Sequence, residues 1–355
     1  MVTSTKKVIL FNRLSMKYSI LILIFFLSYL FVGCEEKNTQ KSKTSNNLDS
    51  LLLIQPNNVN LLVKRGNLML DSFLLKYNKK YFDIAKPDAT KAFRLDSSRI
   101  DTRLLYADVL CNDPGRSVTD VAKAQYHYQF IVKKQPKNVK ALVGLSSTFA
   151  YKADFQTALQ YVDQALKINP KYRDAYIMKG SIFLVQNNRK LAISSYETAI
   201  QQDPEFELAY LRLGQLYTED EKYEIAIEKF RSAAALNPKL GDALYGIAYC
   251  DQMLNRFDQA ITGYRKLMQA DEKYHLGWFN IGYIKQYHTK NQIDSAIIYY
   301  QMATDIQPEF VKAWHNIGLC YEEKNDRTRA LQSYAKALKF NPDFELSKER
   351  VSALR

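Results

Sequence analysis

The chain has 355 residues, 47% of them hydrophobic and 25% charged, with only 12 Gly, 9 Pro and 4 Cys. Of its 50 basic residues four (Lys6, Lys7, Arg13 and Lys17) lie in the first 33 positions, which hold no acid, so the rest carries 46 bases against 37 acids. Low Gly and Pro exclude a collagen-like or low-complexity chain and favour helices, and a mild, dispersed basic excess gives no ground for a nucleic-acid partner.

At the start, "MKYSILILIFFLSYLFVGC" (16–34) sets a basic flank before an apolar run from Tyr18 to Val32, then Gly33 and Cys34. That order and length fit a secretory signal over 1–33, with Met16 as an alternative start; the other reading is an uncleaved anchor with Cys34 an incidental thiol. "FVGC" resembles the lipobox of bacterial lipoproteins, with Phe31 where that family usually has Leu. The resemblance implies acylation at Cys34, cleavage just before it and a membrane-bound mature chain in the cell envelope. Residues 34–47 then form a tether: "EEKNTQKSKTSNN" has no large apolar residue, and as a flexible coil it reaches about 20 Å. Glu35 and Glu36 resemble signals that sort some lipoproteins to the outer membrane. The remaining thiols, Cys111, Cys250 and Cys320, are odd in number, which argues against a disulfide framework.

A lone helix is expected at 46–56. Across 48–138 two irregular helical pairs follow, one offering Gly66, Ala85, Ala89 and Ala92, the other Ala107, Ala124, Tyr128 and Pro136. Each needs an insertion between its helices, "SFLLKYNKK" and "CNDPGRSVTD".

From 139 to 344 one phrase recurs: "ALKINPKYRDAY" returns as "AIQQDPEFELAY", "AAALNPKLGDAL", "ATDIQPEFVKAW" and "ALKFNPDFELSK". Counting units from 139, 173, 207, 241, 275 and 311, position 8 is Ser146, Gly180, Gly214, Ala248, Gly282 and Gly318, always small. Position 20 is Ala158, Ala192, Ala226, Ala260, Ala296 and Ala330. Small residues let two helices approach, and large ones at position 4 (Leu142 to Trp314) and position 24 (Val162 to Tyr334) fill the flanks. The Asn-Pro or Asp-Pro phrase stops the second helix where it occurs. Residues 345–355 place Leu346, Val351 and Leu354 among charges, as a terminal cap does.

Those residues resemble the tetratricopeptide repeat, for example Tyr210, Leu213, Gly214, Tyr217, Ala226, Phe230, Ala233 and Pro238. The resemblance implies an all-α solenoid of helical hairpins, a right-handed superhelix of about eight repeats. It also implies a concave groove lined by positions 2, 5, 6, 9, 12 and 13 of each first helix. On that wall fall Arg212, Tyr245, Tyr249, Phe279, Asn280, Tyr283, Tyr287, His315 and Asn316. The aromatics are candidate anchors for a partner or else pack on one another, and Asn280 and Asn316 resemble rungs of an asparagine ladder that holds a peptide backbone. The Lys and Asn needed for a carboxylate clamp are missing. Asp251 and Lys285, at equivalent positions of adjacent units, are a candidate ion pair.

No phosphate loop, HExxH or triad order occurs, and His127, His275, His288 and His315 lack metal-ligand spacing. No cofactor, metal or catalytic residue is expected. The chain resembles envelope repeat lipoproteins that act as scaffolds, implying as partner a protein or peptide segment of an envelope complex. The alternative is a peptidoglycan or glycan binder that uses the tyrosines for sugar stacking.

Overall fold

The computed structural model describes residues 47–76 and 79–355; the signal, Cys34 and most of the tether lie outside the described residues. Among the described residues there are 18 helices and no strand, so the fold is an all-α solenoid of helical hairpins. The chain divides into two compact units, one reaching to Ala209 and the other Tyr210–Arg355.

In the first unit, α1 spans 47–54 and buries Leu48 and Leu52. Hairpins follow from α2 (Val59–Lys76) and α3 (Lys79–Leu95), α4 (Ile100–Asn112) and α5 (Val118–Lys134), α6 (Val139–Tyr151) and α7 (Phe155–Ile168), and α8 (Arg173–Val185) and α9 (Arg189–Gln202). The expected first insertion is mostly helix, because α2 runs on through Lys76; Phe73 and Leu74 continue its buried stripe. The second is partly a loop over 113–117, closed by a capping box in which Ser117 and Asp120 bond reciprocally.

The unit boundary falls inside α10 (Glu207–Glu219). The second unit continues with α11 (Tyr223–Leu236), α12 (Gly241–Met253) and α13 (Phe257–Ala270), α14 (His275–Tyr287) and α15 (Ile293–Ile306), α16 (Val311–Glu323) and α17 (Arg327–Phe340), and α18 (Glu345–Leu354). The last lies where the terminal cap is expected, and it docks by polar contacts. Arg350 pairs with Glu322, Ser347 Oγ lies 3.0 Å from His315 Nδ1, and Arg327 donates to the carbonyls of Leu354 and Arg355.

Packing follows the repeat. The alanines at position 20 and the small or leucine residues at position 27 are all fully buried. Where position 8 is glycine, its space is filled by the ring at position 24. A Cβ added to Gly180 would lie 2.4 Å from Tyr196, to Gly282 2.8 Å from Tyr300, and to Gly318 2.5 Å from Tyr334. Those rings are among the largest fully buried side chains, so the glycine is a steric requirement of the ring opposite it.

Two backbone devices punctuate the six regular hairpins. Between the helices of each, one residue adopts positive φ: Ala153, Asn187, Glu221, Asn255, Asn291 and Asn325, all between 54° and 60°. The next amide then reaches back, as from Asn188 to Phe183 O at 2.8 Å and from Arg256 to Asp251 O at 2.8 Å. Four of the six are Asn, the side chain that best tolerates this region after Gly. Between hairpins the Asx before proline does more than end a helix. Asn169, Asp203 and Asn341 Oδ1 accept from the amide two residues on, at 3.0 Å, and so close the turn that proline cannot bond; Asp271, followed by Glu272, makes the same bond at 3.1 Å.

Candidate functional site

The face made by the first helices of the second unit carries the predicted partner-binding residues, and the structure divides them. Phe279 is buried with Tyr300 and Phe310, rings 5.4 and 5.0 Å away, as part of the hairpin core. Arg212 is buried and donates through Nη1 to Gln215 Oε1 at 3.0 Å. His315 is buried against Ser347 and held at about 4, chiefly by burial and then by Arg350's charge. The two asparagines bond to tyrosine hydroxyls: Asn280 Nδ2 donates to Tyr245 OH at 3.2 Å and Asn316 Nδ2 to Tyr300 OH at 3.1 Å. Their amides therefore tie neighbouring helices together.

The tyrosines that remain form two surfaces. Tyr245 and Tyr249, one turn apart on α12, stack at 6.0 Å with planes 16° apart, and Tyr274 lies 5.6 Å from Tyr245 on the other side. Tyr274 OH donates to Asp242 Oδ1 at 2.9 Å. The second surface comes from α14 and its end: Tyr283 and Tyr287 at 4.8 Å, His288 5.9 Å from Tyr283, and Phe257 stacked on His288 at 4.2 Å. Tyr245, Tyr249 and Tyr283 are half-buried and Tyr287 is 37% exposed. Burial raises the phenols of Tyr245, Tyr249, Tyr283 and Tyr287, so all stay protonated donors at neutral pH.

Beneath these surfaces runs a buried polar row absent from the sequence expectations. The position 24 hydroxyl donates to position 12 of the same hairpin: Tyr264 to Gln252 at 2.8 Å, Tyr300 to Gln286 at 3.0 Å and Tyr334 to Glu322 at 2.5 Å. A tyrosine whose ring is buried needs a partner for its hydroxyl, and a long polar side chain one turn beyond the small residue at position 8 supplies it. The recurrent Gln, Gln and Glu at that position were the available signal.

The expected pair of Asp251 with Lys285 is not formed among the described residues. Asp251 instead has Arg256 Nη1 at 3.8 Å, because the hairpin turn brings its own far end back onto α12. In the first unit Arg103 lies over Phe130 at 3.9 Å and against His127 Nδ1 at 2.9 Å, while Asp108 takes Tyr128 OH at 2.7 Å and Lys140 Nζ at 3.0 Å. Cys111, Cys250 and Cys320 are buried and free, and burial pushes the last two thiols up to about 11 and about 12. Core packing, rather than nucleophilic chemistry, is what such thiols suit. Among the described residues no group of three or more His, Cys, Asp or Glu is arranged to hold a metal, and no helix is long and apolar enough to cross a membrane.

Comparison with known proteins agrees with this geometry. Family models described as tetratricopeptide repeat match residues 145–205, 177–241, 242–271 and 311–344. Tetratricopeptide repeats are thus recognised in the chain, and proteins built from them generally mediate protein–protein interactions. The chain is 33% identical over 69 residues to the tetratricopeptide repeat domain-containing protein PYG7, chloroplastic, of Arabidopsis thaliana, covering 19% of this chain and 23% of that protein. It is 29% identical over 114 residues to the uncharacterized protein ycf37 of Guillardia theta, 31% of this chain and 62% of that one. The chain therefore spans less than two thirds of the length of these relatives. Among solved structures, the APC/C hetero-tetramer Cut9-Hcn1 aligns at 17% identity and TM-score 0.58 over 93% of this chain and 62% of that one. Pseudomonas aeruginosa pilF aligns at 16% and 0.51 over 61% and 97%. At such identities the likeness is one of fold.

Proposed function

We propose that this tetratricopeptide chain is a non-enzymatic scaffold that holds a segment of a partner protein on the first-helix face of its second unit. The observation that carries the reading is the pair of half-buried tyrosine surfaces on consecutive hairpins. The repeat needs its core rings at position 24, already supplied by Tyr264 and Tyr300; Tyr249, Tyr283 and Tyr287 are additional and reach solvent. Rigid, amphipathic rings of this kind lose little conformational entropy on binding and make effective anchors.

Anchorage is part of the same reading. The lipobox-like "FVGC", the polar stretch after it and Glu35–Glu36 support a chain lipidated at Cys34 and held in the bacterial envelope, at the outer membrane. A tethered groove gains from raised local concentration rather than from chemistry.

A photoreactive residue at Tyr249 in cells tests the partner site. One discrete adduct is expected, lost in Tyr287→Ala and not obtained from Ile298, which is exposed on the second helix α15. No adduct, or the same adduct from Ile298, overturns the assignment. Release of the chain from membranes by Cys34→Ala is the companion expectation. The near-parallel Tyr249, Tyr245 and Tyr274 rings also favour a second reading, sugar stacking in a cell-wall binder. Retention on purified cell wall that depends on Tyr249 and Tyr283 would select it.

A further inference from the structure

The surface at the end of α14 carries information about the partner's chemistry. Phe257, His288, Tyr283 and Tyr287 form a continuous run of rings with centroid separations of 4.2, 5.9 and 4.8 Å. Beside it stands Glu323, at the end of α16. Its Oε1 accepts from Gln286 Nε2 at 3.0 Å, which fixes an exposed carboxylate next to the residue that precedes Tyr287. The two groups are electrically coupled: burial first, then neighbours that include Glu323, raise the Tyr287 phenol.

Two cations close to Glu323, one beside it in the chain and one on its neighbour Glu322, are engaged elsewhere. Lys324 pairs with Asp294, and Arg350 pairs with Glu322, whose carboxylate also takes the Tyr334 hydroxyl. His288 adds no positive charge at neutral pH, because burial lowers it. The result is an electron-rich aromatic surface with an exposed carboxylate at its rim.

We infer that this edge is a subsite for a lysine or arginine side chain of the partner segment, its cation over the Tyr283–Tyr287 rings with Glu323 as the counter-charge. The inference rests on the scaffold reading above and narrows it to a basic segment. Ring faces attract cations through their quadrupole, and a fixed carboxylate adds charge complementarity that an anionic or purely apolar segment cannot use. The chain makes the same contact within itself: Lys336 Nζ sits 4.1 Å from the centre of the Trp314 ring, and Arg103 3.9 Å from that of Phe130.

The test uses a fluorescein-labelled octapeptide of alternating lysine and glycine, titrated with the protein and read by anisotropy, beside a glutamate–glycine peptide and a proline-rich one. Binding is expected for the lysine peptide alone, weakening as salt rises. Tyr287→Ala should weaken it about fivefold and the isosteric Glu323→Gln about threefold. Tyr287→Phe, which keeps the ring, should stay within about twofold. Circular dichroism of each variant checks that the fold is kept, and Tyr126→Ala, in the other unit, should change nothing. Equal binding of the glutamate or proline peptide, no binding of the lysine peptide, or indifference to both Tyr287→Ala and Glu323→Gln overturns the subsite. Capture of a partner from Tyr249 alongside any of those results would leave the scaffold reading standing and the cation subsite refuted.

Discussion

Gly263 and Ala248 give the sharpest test of how the hairpins close. Four of the six regular units have glycine at position 8; the unit starting at Gly241 has Ala248, and Gly263 of α13 faces it. A Cβ on Gly263 would lie 2.8 Å from Ala248 Cβ and 3.3 Å from its Cα. Glycine in the middle of a helix is ordinarily about 1 kcal/mol worse than alanine, so an unhindered Gly263→Ala would stabilise by that amount. Overpacking a rigid contact costs roughly 1–3 kcal/mol, which should turn the gain into a loss of up to about 2 kcal/mol. Ala248→Gly alone should also destabilise, by about 1 kcal/mol of helix propensity and about 0.8 kcal/mol for the buried methyl. In the double variant the propensity terms cancel and the Cβ–Cβ contact is gone. The pair should therefore couple favourably, by about 1–2 kcal/mol. Urea unfolding followed by circular dichroism measures the cycle, with hydrogen exchange on α12 and α13 to place the change locally, since repeat arrays need not unfold as one unit. A stabilising Gly263→Ala, or strict additivity, would refute the packing argument.

Other consequences are as direct. Glu221→Asn should raise stability by roughly 0.5–1 kcal/mol, and Asn255→Ala should lower it by a similar amount, because each sits at positive φ where Asn is the better tolerated side chain; thermal melts report both. Tyr300→Phe leaves Gln286 and Asn316 without the hydroxyl that joins them and should cost about 1–3 kcal/mol in urea, with little change in secondary structure. His315 is uncharged in the fold down to about 4 against 6.5 unfolded. The stability it contributes is present above pH 6.5 and is lost as pH falls toward 4, at up to about 1.4 kcal/mol per pH unit before solvent screening; His315→Gln should flatten that slope. Asp174 behaves oppositely: burial lifts its carboxyl from 3.8 to about 7, so the fold prefers it protonated and loses stability as pH rises through that window. Asp174→Asn should gain on the native chain at pH 8 and not at pH 4, read from unfolding midpoints.

Along the chain, the spacing of small and large residues determined a great deal. Alanines at positions 20 and 27, glycine at 8 and the Asx-Pro phrase repeat in phase with the helices, so helix number, hairpin order and the identity of the core follow from periodicity alone. Across 48–138 the structure forms helical pairs, and the expected first insertion is mostly helix, since α2 runs on to bury Phe73 and Leu74. The candidate site was legible only in outline. Tyr245 and Tyr249 sit on α12 and Tyr283 and Tyr287 on α14, yet nothing in a linear pattern distinguishes them from Phe279 and His315, which are buried.

What a residue sees along its own helix is set by 1.5 Å of rise and a fixed rotation per position, so sequence spacing suffices. What it sees across a helix boundary depends on how far two cylinders are turned against each other, and side chains several residues apart in spacing compete for that view. For this reason the contacts that only folding decided are all between helices: Asp251 with Arg256 in place of Lys285, Asn280 and Asn316 on tyrosine hydroxyls, Gly263 opposite Ala248, and Glu323 set beside Tyr287.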